Sequence, residues 1–162
     1  VIKKNAMSSI KQLEQSLYER DFVAWLEQQA TLARASQVSR LDLVNIAEEL
    51  EGMGRSERRA LESQLIRLLM HLLKWQYQGS HRTGSWHLSI RDARRQIERI
   101  LKDSPSLQSY TAEIFAHCYD AARGDATAET NMPVEVFPVR CPYTLKQVRD
   151  AEFLPNTTSS EP

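Results

Sequence analysis

The chain has 162 residues, 41% of them hydrophobic and 26% charged, and its 21 basic and 21 acidic side chains cancel. That length suits one domain with a core that needs no disulfide or metal. Five glycines and six prolines are too few for the turns of an all-β fold, no apolar run approaches the roughly 20 residues of a membrane span, and no basic-then-apolar export signal opens the sequence.

Two cysteines without short spacing fit a reducing compartment, so the expected location is the cytoplasm. The first residue is Val1, which leaves the natural start open. Charge is uneven along the chain: net +2 over residues 1–41, −2 over 42–73, +5 over 74–102 and −5 over 103–162. The plain reading is neutralisation of the basic block by the acidic one within the fold. The functional reading is a basic surface for a polyanion.

Residues 1–16 are polar and weakly patterned and read as an N-terminal arm. A first helix is expected from about Tyr18 to Ala35, with Tyr18, Phe22, Trp25, Leu32 and Ala33 in one sector. Gln29 falls inside that sector and, if buried, needs hydrogen-bond partners. A second helix is expected from Leu41 or Asp42, with Asp42 as cap and Leu43, Ile46, Ala47 and Leu50 on one face. Gly52 and Gly54 are expected to end or bend it.

The third helix, from Arg55 or Ser56 to Gln78, is apolar over an arc of about 220°. Its only polar sector is Ser63, Gln64, Arg67, His71 and Lys74, so it reads as the central element. After a loop over 79–84, a fourth helix from Ser85 to Lys102 carries a narrow stripe of Trp86, Ile90, Ala93, Ile97, Ile100 and Leu101. Ser104 and Pro105 are expected to cap and open a fifth helix reaching Ala122 or Thr130. Four prolines divide the rest, with a short helix from Leu145 to Asp150 behind the capping-box spacing of Thr144 and Gln147.

The expected fold class is therefore all-α: a five-helix, bundle-like domain over 17–155. Its tail, 131–155, is expected to cover the wide apolar arc of the third helix with Val136, Phe137, Tyr143, Phe153 and Leu154, the alternative being that the surplus of that arc forms a dimer face. Residues 156–162 are expected to be disordered.

Several strings occur together: DFVAWLEQQATLAR (Asp21–Arg34), EELEGMGRSERRAL (Glu48–Leu61), MHLLKWQYQ (Met70–Gln78), GSWHLSIRDARRQI (Gly84–Ile97) and DSPSL (Asp103–Leu107). With CPYTLKQ and EFLP near the end, they resemble domain-of-unknown-function family 29, a mostly cyanobacterial family, over about residues 17–155. The resemblance implies a small helical intracellular protein and implies no activity. Gly79 stands where the family usually has proline.

Glu48, Glu49, Glu51, Glu57, His71, His81 and His87 are the metal-ligand types present, but no Glu-x-x-His or His-Glu-x-x-His spacing joins them. No metal or cofactor is expected. Cys118 falls on an apolar stripe and Cys141 has no histidine placed to activate it, so no catalytic residue is assigned. A polar cleft, if one exists, is expected where His71, Lys74, His81, Arg82 and His87 converge. Arg91, Arg94, Arg95, Arg99 and Lys102 on the fourth helix are the candidate polyanion contacts. Arg94 and Arg95 are both expected to point away from the apolar stripe.

Three functions compete. The preferred one is a non-catalytic module that contacts an unknown protein partner or a second copy of itself. Nucleic-acid binding by the fourth helix comes next, and a metal-assisted enzyme last.

Overall fold

The computed structural model describes residues 17–157. The arm expected over 1–16 and the last five residues of the expected disordered end lie outside them. Among the described residues every regular element is helical, so the fold is all-α. The main helices are α1 (Phe22–Arg34), α2 (Leu43–Tyr77), α3 (Gly84–Asp103), α4 (Leu107–Thr130) and the short α5 (Leu145–Arg149). Single 3-10 turns lie at Val38–Arg40, Gly79–His81 and Val134–Val136.

One expectation is overturned at once. The helices foreseen on either side of Gly52–Gly54 are one helix of 35 residues, α2. Glycine ends a helix well when it takes a left-handed conformation, and no glycine here has positive φ. The residues around the pair, Ala47–Glu51 and Arg55–Leu61, are mostly strong helix formers, so helix propagation outweighs about 1 kcal/mol per glycine. The foreseen first helix errs the other way. Residues 17–20 are helical, but Asp21 leaves helical geometry (φ −150°) and caps α1 by accepting from the Ala24 N–H at 3.0 Å. Aspartate competes for backbone donors and favours that role over a helix interior.

The described residues form two compact units, divided between Arg55 and Ser56. In the first, Tyr18, Phe22 and Trp25 make an aromatic cluster, with Tyr18 and Trp25 ring centres 4.8 Å apart. The Tyr18 hydroxyl donates to Glu49 on α2 at 2.5 Å. Gln29 is buried, and its Oε1 accepts the Asp42 N–H at 2.9 Å. Asp42 in turn caps α2 through the Asn45 N–H. α1 closes with Ser36 at φ 55°, the Gln37 and Ser36 N–H groups returning to the Leu32 and Ala33 carbonyls.

In the second unit, Leu61, Leu65, Leu68, Leu69, Leu72 and Leu73 are fully buried. The stripes of α3 (Ile90, Ala93, Ile97, Leu101) and α4 (Cys118, Tyr119, Ala122, Ala126) close on them. α4 begins two residues later than expected: a turn at Ser104 precedes it, in which the Ser104 carbonyl, not its side chain, accepts from Leu107. It ends at Asn131, left-handed at φ 55°, just before Pro133.

The tail covers the core with the side chains foreseen for it. Phe137 and Tyr143 are buried, Phe153 and Leu154 pack against the same cluster, and Val136 is half-buried. Thr144 and Gln147 form the expected capping box at α5. An irregular segment has no ladder of its own, so its carbonyls need donors from elsewhere. Three side chains supply them. Arg123 donates to Val134 and Phe137, Tyr119 to Pro138, and Arg94 to Val148, Ala151 and Phe153.

Candidate functional site

The five residues expected to line one polar cleft do not meet in one. His71 and Lys74 lie on the sector of α2 foreseen as wet, yet they are only 9% and 6% exposed. The Lys74 ammonium pairs with Glu129 of α4 and sits over the Trp86 ring, 4.4 Å from its centre. Burial, with the nearby Lys74 cation, lowers the His71 pKa to about 4. The imidazole is therefore neutral at pH 7, and its Nδ1 has no hydrogen-bond partner among the described residues. Arg82 belongs to a different group: it stacks on Trp75 at 4.7 Å and donates to the Trp75 carbonyl. His87 lies 6.0 Å from that same indole, on its way to solvent. His81 is exposed beside Ser80.

The basic set of α3 also divides. Arg94 is 5% exposed, its guanidinium spent on three tail carbonyls, which corrects the expectation that it points away from the core. Positions 90, 93, 94, 97 and 101 are all buried, so the packed face of α3 is one position wider than its apolar stripe. Arg91 and Arg95 are exposed on the rim of a groove of about 540 Å³ floored by Arg94 and the tail. Arg99 opens instead onto a second hollow with Glu57 and Asp103. Lys102 is exposed one turn further on.

Burial raises the Cys118 thiol to about 12 and Cys141 to about 11, so neither is a thiolate at neutral pH. Among the described residues no group of three or more His, Cys, Asp or Glu side chains is close enough to hold a metal ion. No described helix is long and apolar enough to cross a membrane.

A protein-family model described as domain of unknown function DUF29 matches residues 17–154. The chain belongs to the DUF29 family. No curated protein and no solved structure matches it.

Sequence reasoning missed a concentration of exposed apolar side chains. Ten large apolar side chains are exposed among the described residues, and eight of them fall between Phe22 and Met53. On α1 these are Phe22, Val23 and Leu26; on α2 they are Leu43, Val44, Leu50 and Met53; Val38 lies between. Val44, Met53 and Leu50 are 75%, 65% and 62% exposed. The first unit buries only Trp25, Leu32 and Gln29 among its described residues. Amphipathic spacing marks a face that wants cover, but a face bare in the single chain reads the same in sequence as one buried in it.

Proposed function

We propose that this DUF29 chain is a cytoplasmic, non-catalytic module that works by protein contact. Its contact surface is the bare apolar face of α1 and the first turns of α2, and its partner is a second copy of the chain. The observation that supports this reading is the concentration of exposed apolar side chains between Phe22 and Met53. A two-helix piece of this size has too little interior to hide them itself, and clustered exposed apolar side chains mark interaction sites.

The choice of a second copy rests on charge order along α2. Asp42, Glu48, Glu49 and Glu51 come first with no basic residue among them, then Arg55, Arg58 and Arg59 with one acid, Glu57. Such an order is self-complementary when two α2 helices cross antiparallel near Met53, acids of one against bases of the other. Closed pairs of this isologous kind are the commonest assemblies. Gly54 suits the crossing, because a Cβ built there meets no atom within 4 Å.

Sedimentation velocity over a concentration series tests the reading. The full chain is expected to dimerise, and Leu50→Glu with Met53→Glu to yield a monomer of unchanged helix content. A chain monomeric at every concentration overturns it. If that monomer then self-associates once residues 1–16 are removed, the face belongs to that segment.

A further inference from the structure

The groove beside α3 carries an inference independent of the self-association reading. Its wall is His87, Arg91 and Arg95, at i, i+4 and i+8 on one helix face, and its far side is Arg149, Ala151 and Glu152 from the tail. Such spacing sets three nitrogen-bearing side chains along roughly 12 Å of one line. Arg91 has no hydrogen-bond or ion-pair partner among the described residues, and Arg95 is held only by Asp92 on its own helix, with its side chain 76% exposed.

Behind them lies Arg94, buried and hydrogen-bonded to three neutral carbonyls; Asp150 and Glu152 act on its charge from nearby, but neither is hydrogen-bonded to it. A buried guanidinium with only carbonyl partners projects its positive charge into the adjacent groove. Two acids share the lining. Glu98 is neutralised by a two-point pair with Arg149, at 2.7 and 2.9 Å, and Glu152, on the tail, is near enough to act on the Arg94 charge.

We propose that this groove is a binding site for a small phosphate-bearing ligand, held by Arg91 and Arg95 over the buried charge of Arg94. Two exposed arginines one helical turn apart present the planar donor forks that phosphate oxygens accept from. A short positive strip with Glu98 and Glu152 also on its lining matches one or two phosphates better than a long polyanion. Arg99 and Lys102 lie outside it. Of the five basic residues read as polyanion contacts, this site takes Arg91, Arg94 and Arg95, and it changes the ligand class.

Pyrophosphate is the probe, titrated into the full chain at constant ionic strength with chloride and sulfate as controls. The expected result is a saturable rise in melting temperature and a calorimetric isotherm with pyrophosphate. Arg91→Ala with Arg95→Ala is expected to weaken that binding roughly tenfold or more, while Arg99→Ala with Lys102→Ala leaves it unchanged. Equal response to sulfate and pyrophosphate, or no loss in the Arg91/Arg95 variant, overturns the site. A 20-nucleotide single strand that binds roughly tenfold tighter than pyrophosphate and loses affinity in the Arg99/Lys102 variant overturns the small-ligand assignment in favour of nucleic acid.

Discussion

Arg94 on α3 donates through Nη2 to the carbonyl of Phe153 at 2.7 Å, 59 residues further along the chain. With its bonds to Val148 and Ala151, this one side chain satisfies carbonyls on either side of Asp150 and fixes the last stretch of the tail over the core. Burial lowers the Arg94 pKa from its usual value, with Asp150 and Glu152 opposing. Even lowered, an arginine remains charged at pH 7, and the bonds that hold it are charge-assisted.

Arg94→Gln is therefore expected to cost about 3 kcal/mol or more, because it strands buried carbonyls as well as losing its own bonds. Arg95→Gln, one residue away and tied only to Asp92, is expected to stay within about 0.5 kcal/mol of the parent. Urea unfolding of the two single variants checks this. Equal midpoints would show that the tail does not depend on Arg94.

His71 makes the stability pH-dependent. Its pKa is about 4 in the folded chain, against an ordinary value of 6.5, because burial disfavours the imidazolium and Lys74 repels it. Arg67 adds to that repulsion and Glu129 opposes it. As pH falls from 6.5 toward 4 the unfolded chain takes up a proton that the folded chain refuses, so stability falls across that window and is complete above it. The loss is up to about 3 kcal/mol at the acid end. Carboxylates titrate there too, so the measurement is the difference between parent and His71→Gln unfolding free energies from pH 7 to 4.5. The parent is expected to fall more steeply, and parallel curves would contradict the assignment.

The continuity of α2 gives a third prediction. A Cβ at Gly54 would touch nothing within 4 Å, and one at Gly52 would meet only the Arg55 side chain at 3.7 Å. Both residues are helical, so Gly52→Ala and Gly54→Ala should each stabilise the chain by about 1 kcal/mol. Thermal unfolding of dilute samples reads this. A destabilised variant would mean that the glycines interrupt the helix after all.

Much of this architecture is legible in the residues. The stripe Ile90, Ala93, Ile97, Leu101 fixes the packed face of α3, the leucines from Leu61 to Leu73 mark α2 as central to their unit, and Phe137 and Tyr143 announce a tail that covers it. What escapes is what depends on partners far away in sequence. Arg94 looks like a surface arginine until the Val148–Phe153 carbonyls arrive 54 to 59 positions later. Lys74 looks solvated until Glu129 pairs with it and the Trp86 ring lies against it. Gly52 and Gly54 resemble a stop because their intrinsic preference is local, whereas helix propagation is cooperative over many residues. The site suffers most, since five basic side chains at helical spacing share a sequence signature whether they face water, a groove or the core.

Hydrogen exchange on the full chain at low and high protein concentration reads the proposed self-contact at the residues that would form it. Amides of residues 43–55 are expected to gain protection as concentration rises, because a second copy covers Leu43, Leu50 and Met53 and suppresses local opening, while amides around Leu88 and Val139, the other exposed apolar side chains among the described residues, stay unchanged. Concentration-independent exchange over 43–55 would contradict it.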